Sequence, residues 1–165
     1  METFNVLPDG DLAEQLLACL AAPAWGAAII AGRPYADVAG IVAGADAAAR
    51  ALSWADVLAG LGAHPRIGER AAGASREAAW SRAEQSAAAQ SADELTKAAL
   101  IDANRAYEER FGHVFLIFAS GRSQGEILEA ARGRLANDET AERAIVQDEL
   151  RKIALLRLER VLDAL

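Results

Sequence analysis

The chain has 165 residues, of which 53% are hydrophobic and 5% aromatic, enough apolar material for one filled core and too much for a disordered chain. Against 24 Asp and Glu stand 17 Lys and Arg, a net charge of −7, which argues against nucleic acid or an anionic membrane as partner. One cysteine and two histidines exclude an intrachain disulfide and a histidine-rich metal site, so no metal is expected.

Much of the apolar fraction is alanine, which favours helices that approach closely. An all-α fold is expected: a single-domain compact helical bundle of about eight or nine helices with short loops, with 1–165 forming one domain. METFNVLPDGDL lacks the basic and apolar regions of a secretory signal. VFLIFA is far too short to span a bilayer, and the closing DAL is not a peroxisomal address. These features predict a cytoplasmic protein without a membrane segment.

In chain order, Leu12, Leu16, Leu17 and Leu20 form a helical stripe within Asp11 to Leu20. Cys19, inside LLACLAA, reads as a small buried hydrophobe. Pro23 ends this helix or starts the next, and Trp25, Ile29 and Ile30 continue the apolar spacing up to Gly32 and Pro34. A weakly patterned helix is expected from Ala36 to Ala51. Ser53 with Asp56 reads as a cap for WADVLAGL, and Gly62 as its terminal glycine. Next comes HPRIGE, where Pro65 disfavours helix at His64. Ser75 is expected to cap REAAWSRAEQSAAA, and Ser91 with Glu94 to form a capping box for ELTKAALIDANRAYEERF. On that helix Leu100, Asn104, Tyr107 and Phe111 share a face, and Gly112 ends it. HVFLIFAS is either a buried strand-like segment or a helix start, since periodicity does not separate them. Ser123 and Glu126 open EILEAARGRL as a second capping box, Asn137-Asp138 is a turn, and a last helix runs from about Thr140 to the C-terminus.

Three places carry chemistry. His64 titrates near neutrality and can give or take a proton. Pro65 stiffens the chain after it, Gly68 permits a tight turn, and Glu69 can orient the ring or an arginine. A rigid catalytic loop and a helix connector with a surface histidine both fit. In WSRAEQS, Ser81, Glu84 and Gln85 share one helix face. That face is either a solvated surface or a hydroxyl, carboxylate and carboxamide set suited to a small polar ligand rich in amides. In the last helix, Val146, Leu150, Ile153 and Val161 define an apolar stripe with Arg157 near its centre. A guanidinium there needs an anion, from an internal carboxylate or from a ligand. His113 reads as structural. GRS at Gly121 to Ser123 offers backbone N–H groups to an anion, a weak signal alone. No Walker loop, GxGxxG, HExxH or GxSxG is present.

HPRIGE, SRAEQ, FGHVFLIFASGRS followed by EIL, and RKIALLRL, in this order, resemble the family of 2-oxo-4-hydroxy-4-carboxy-5-ureidoimidazoline (OHCU) decarboxylases from about Pro8 to Leu162. The resemblance implies an all-α enzyme of urate degradation that needs no cofactor, converts OHCU to (S)-allantoin and forms a homodimer. It implies that His64, Glu84 and Arg157 are catalytic. It implies substrate contacts at Pro65, at Ser81, Arg82, Ala83 and Gln85, and at Leu116, Ile117, Phe118, Ala119 and Ser120, partly through backbone groups. Two alternatives stand beside it: a non-catalytic helical interaction module with Arg157 in an internal salt bridge, and a decarboxylase of a related ureido or hydantoin acid.

Overall fold

The computed structural model describes residues 2–68, 75–90 (side chains to residue 86) and 93–165. Among these residues the chain is all-α, with nine helices and no strand. They are α1 (Glu2–Val6), α2 (Asp9–Cys19), α3 (Pro23–Ala31), α4 (Val38–Arg50), α5 (Trp54–Leu61), α6 (Arg76–Gln90), α7 (Glu94–Phe111), α8 (Gln124–Arg134) and α9 (Glu139–Asp163). Contacts group them into two compact units: Met1–Ala63 with Gln147–Leu165, and His64–Val146.

In the first unit α2 packs on α3, and α3 on α4. Leu12, Leu16 and Leu20 are buried as their spacing predicts, but Leu17 is 45% exposed. It lies about 100° round the helix from Leu16, at the stripe's edge, and turns outward. Cys19 is buried, as its apolar surroundings suggest. Pro23 starts α3, where its missing N–H costs nothing. Trp25 is fully buried, and its indole N–H donates to the Ala45 carbonyl at 2.9 Å, tying α3 to α4. Trp25→Ala is expected to cost about 3–5 kcal/mol, read as a lower midpoint in chemical denaturation.

Asp37 caps α4 and Ser53 with Asp56 forms the expected capping box on α5. Gly62 does stand at the end of α5, yet its φ of −59° is right-handed, so the turn does not require glycine. At Gly60 packing favours glycine: a Cβ there would lie 2.9 Å from Leu20 Cδ1 and 3.1 Å from Leu150 Cδ2, so those side chains would have to shift. The Gln147 amide donates to the carbonyls of Ala49 and Arg50, both at 3.0 Å, satisfying acceptors that the end of α4 leaves over. Arg151 bridges Asp148 and Asp46 at 2.8 and 2.5 Å.

In the second unit α7 packs on α8. Leu100, Ala103, Tyr107, Ile127, Leu128 and Ala131 form the core with Phe115, Ile117 and Ala119, and Ile67 adds to it from the loop before α6. Ser75 Oγ accepts from the Ala78 N–H, capping α6 as expected. Asp93 caps α7 by accepting from Thr96 N–H, while Ser91, the expected cap, lies outside the described residues. Gly112 ends α7 at φ 76°, in the left-handed region that glycine occupies without strain. Residues 114–119 are neither helix nor strand, which settles the ambiguity of VFLIFA. Ser123 and Glu126 form the predicted capping box on α8. No helix among the described residues is long and apolar enough to cross a membrane.

Candidate active site

His64 opens the second unit, on a loop after α5. His64 and Pro65 are half-buried. The residues after them are held at successive points. Arg66 makes a two-pronged pair with Glu108 of α7, Nε to Oε1 at 2.5 Å and Nη2 to Oε2 at 2.9 Å. The Ile67 carbonyl accepts from Asn104 Nδ2 at 2.8 Å, and the Gly68 N–H donates to Gln85 Oε1 at 3.2 Å. Gly68 has φ +90°, a conformation that favours glycine. Beside the loop lies a cavity of about 300 Å³ lined by Arg66, Ile67, Gly68, Ile101, Asn104, Arg105 and Glu108. Glu69, a candidate to orient His64, lies outside the described residues.

α6 contributes the carboxylate. Ser81 is buried while Glu84 and Gln85 are half-buried, so the face these three share is partly withdrawn from solvent. Arg82 is half-buried and Ala83 exposed. The bond from Gly68 to Gln85 joins the HPRIG stretch to the SRAEQ stretch. Gln85 Oε1 is therefore engaged on the loop.

The segment from Leu116 to Ala119 runs through the core of the same unit, with Leu116, Ile117 and Ala119 buried, Phe118 half-buried and Ser120 exposed. Three of its carbonyls have donors. Leu116 O accepts from Arg134 Nη1 at 2.7 Å, Phe118 O from Arg122 Nε at 3.1 Å, and Ala119 O from the Arg122 N–H at 3.1 Å. In a trans peptide the C=O and N–H point opposite ways. The N–H groups of Ile117, Ala119 and Ser120 are thereby aimed away from the arginines.

Arg134 belongs to a buried polar network that motif reading missed. Glu142, 1% exposed, accepts from Arg134 at 2.6 and 2.7 Å, from the Tyr107 hydroxyl at 2.5 Å and from Asn137 Nδ2 at 2.9 Å. The guanidinium also lies 4.6 Å over the Phe115 ring. Burial first, and then the bond to Glu142, hold the Tyr107 phenol far above its ordinary ionisation range, so it stays protonated and donates. This network underlies the Leu116 carbonyl and sets its direction. A signal existed: Glu142 lies four residues before Val146, on the same stripe that singled out Arg157.

His113 packs edge-on to Tyr107 at 5.6 Å and along Phe111 at 6.2 Å, in line with a structural role. The GRS turn leads into an α8 start already occupied by the Glu126 carboxylate, which accepts from Ser123 N–H at 2.7 Å. That bond holds the Glu126 carboxyl below its ordinary value, so an anion there would meet a negative charge. In the first unit Arg157 is wholly buried, as its place on the stripe predicts. A larger open groove of about 1030 Å³ in that unit is lined by none of the candidate residues.

A sequence profile described as OHCU decarboxylase matches residues 5–159. The chain belongs to the OHCU decarboxylase family. A 2-oxo-4-hydroxy-4-carboxy-5-ureidoimidazoline decarboxylase of Amia calva is 31% identical over 142 residues, covering 86% of this chain and 81% of that protein. The Uric acid degradation bifunctional protein TTL of Arabidopsis thaliana is 34% identical over 108 residues, 64% of this chain and 33% of that longer protein. Among solved structures, an OHCU decarboxylase crystallised in the presence of (S)-allantoin superposes with a TM-score of 0.77 at 25% identity, covering 90% of this chain and 96% of the other. An (S)-allantoin synthase shares the fold, with a TM-score of 0.72 at 18% identity over 96% of this chain and 52% of that one. As a member of the OHCU decarboxylase family the protein is a carboxy-lyase.

Proposed function

We propose that this chain, acting as one OHCU decarboxylase-like domain over 1–165, removes the carboxyl group of OHCU in urate degradation and yields (S)-allantoin. The observation that carries this reading is the hydrogen bond joining HPRIG to SRAEQ, the two most specific stretches, with His64 and Glu84 both half-buried in the same unit.

The substrate carries hydroxyl and carboxylate on one ring carbon and a ureido group on the next. As the bond to the carboxylate breaks, its electron pair passes into the ring and CO₂ leaves. A proton then adds at the ureido-bearing carbon, which becomes the stereocentre of allantoin, while the hydroxyl gives up its proton to become the ring carbonyl and the ring nitrogen that received the electron pair takes one. The ring serves as electron sink, so the reading needs no metal or cofactor. His64 is the general acid that supplies the proton to one face. Glu84 orients the His64 ring or holds the substrate hydroxyl or ureido N–H. The N–H groups of Ile117, Ala119 and Ser120, aimed away from the arginines, stabilise the developing oxyanion. Pro65, Ser81 and its neighbours on α6, and Leu116 to Ser120 line the substrate in this reading.

Arg157 anchors a polar group of the substrate. A tight pair with the departing carboxylate would stabilise the ground state and slow its loss, so the anchor falls on another oxygen. Arg157→Lys keeps the charge but loses the planar fork, and the expected result is a KM raised on the order of tenfold with a smaller change in kcat. Steady-state kinetics separate the two. The same reading carries a cytoplasmic homodimer, as the resemblance implies.

The test is to generate OHCU in place and follow its loss with and without the protein, next to related ureido and hydantoin acids. Acceleration confined to OHCU is expected. Acceleration of a related acid alone moves the assignment to that substrate, and acceleration of none returns the chain to a binding role.

A further inference from the structure

The Ile67–Gly68 peptide is held at both ends by side-chain amides from two helices. Its carbonyl accepts from Asn104 Nδ2 of α7 at 2.8 Å, and its N–H donates to Gln85 Oε1 of α6 at 3.2 Å. The Ile67 side chain is buried in the core beside Leu100 and Tyr107. A buried side chain fixes where a loop lies, but not how the next peptide plane is rotated. Rotation of that plane swings the chain that leads back to His64. Packing does little to restrain it, because a cavity of about 300 Å³ lies along Ile67 and Gly68. The two amides restrain the plane itself, beside the Arg66–Glu108 pair that holds the residue before it. Asn104 is the firmer of them: it is 4% exposed against a half-buried Gln85, and its bond is the shorter. A carboxamide on the apolar face of α7, among Leu100 and Tyr107, has no packing reason to be there. Its amide hydrogen is what the loop uses.

We propose that Asn104 is a positioning residue that sets the orientation of His64 by clamping the Ile67–Gly68 peptide from α7, with Gln85 as the opposing clamp from α6. The inference rests on the reading of His64 as the proton donor. A donor displaced by about an ångström loses on the order of a hundredfold in rate, whereas substrate binding through other groups is untouched. The signature is therefore a fall in kcat at nearly constant KM.

The test compares Asn104→Leu, which removes the donor at similar size, with Asn104→Gln, which keeps an amide N–H and has the neighbouring cavity to accommodate one more methylene. Turnover is measured per folded protein, below each variant's own unfolding midpoint. Asn104→Leu is expected to lose roughly ten- to a hundredfold in kcat with KM within about threefold, and Asn104→Gln to recover part of the loss. The chain has only two histidines, so their ring proton resonances can be assigned with His64→Asn. The His64 signal is expected to shift or broaden in Asn104→Leu while that of His113 holds. If Asn104→Leu does not accumulate as folded protein, Asn104→Gln is read alone: a smaller kcat loss with a moved His64 signal supports the clamp. Wild-type kcat and an unmoved His64 signal in a folded Asn104 variant, even with a lowered melting temperature, would overturn it. His64→Asn run alongside separates the two claims: if it keeps near-normal turnover, the proton-donor reading itself has failed.

Discussion

Replacing His64 with asparagine is expected to lower kcat by about 10²–10⁴-fold, the usual contribution of a positioned acid or base, and to leave the fold intact. Asparagine keeps a hydrogen-bonding side chain of comparable reach but has no proton to give near neutral pH. The loop has anchors for its shape besides the ring. It is held by the Arg66–Glu108 pair, by the two amides on the Ile67–Gly68 peptide, and by Ile67 in the core. Far-ultraviolet circular dichroism and the melting temperature should therefore match the parent within about 0.5 kcal/mol of stability, as for substitutions that break no packing. Loss of turnover with loss of fold would move His64 from chemistry to structure.

Glu142→Ala carries the largest expected effect on stability. Its carboxylate serves Arg134, Tyr107 and Asn137 together, and it is 1% exposed. Removing it leaves the Arg134 guanidinium, 8% exposed, without its counter-charge, which costs about 3–5 kcal/mol in such settings. Denaturant unfolding measures it. The cost should exceed that of Glu139→Ala, whose partner Arg143 is exposed to solvent. Because Arg134 also holds the Leu116 carbonyl, the surviving folded fraction should show weakened substrate binding.

The same network sets the response to alkali. The Tyr107 phenol ionises far above its ordinary value of 10.0 in the fold, chiefly because it is buried. Above that ordinary value the unfolded chain releases the proton and the folded chain keeps it, so stability is complete below pH 10 and falls as pH rises beyond it. Unfolding midpoints across that range should decline, and Tyr107→Phe should flatten the decline.

Most helix ends were legible because their signals are local. Ser53 with Asp56, Ser123 with Glu126, and Gly112 each declare a boundary through residues a few positions apart. α1 is only five residues long, too short for periodicity to register. Leu17 shows the limit of spacing by eye, since one step of about 100° separates core from solvent. The irregular segment 114–119 is tied to Arg134, 18 positions on from Leu116, by a bond that no local pattern reports.

The site divides in the same way. His64 stood out through the proline after it, and Arg157 through its place on an apolar stripe. Asn104 and Glu142 obey the rule that found Arg157, a polar group where the helix pattern calls for an apolar one. Each has a partner far off in sequence, Ile67 at 37 positions from Asn104 and Tyr107 at 35 from Glu142. Spacing can mark such a residue as odd, but only the folded chain shows what it holds.

The most direct test of the central claim is optical. OHCU is formed in place from urate by the enzymes that precede this step, and the circular dichroism of allantoin is followed with and without the protein. Spontaneous loss of CO₂ in the blank delivers the proton to either face and gives no net signal. A rapid rise of the (S)-allantoin signal, abolished in His64→Asn, is the predicted result. A trace that stays with the blank while the protein is folded would contradict the assignment.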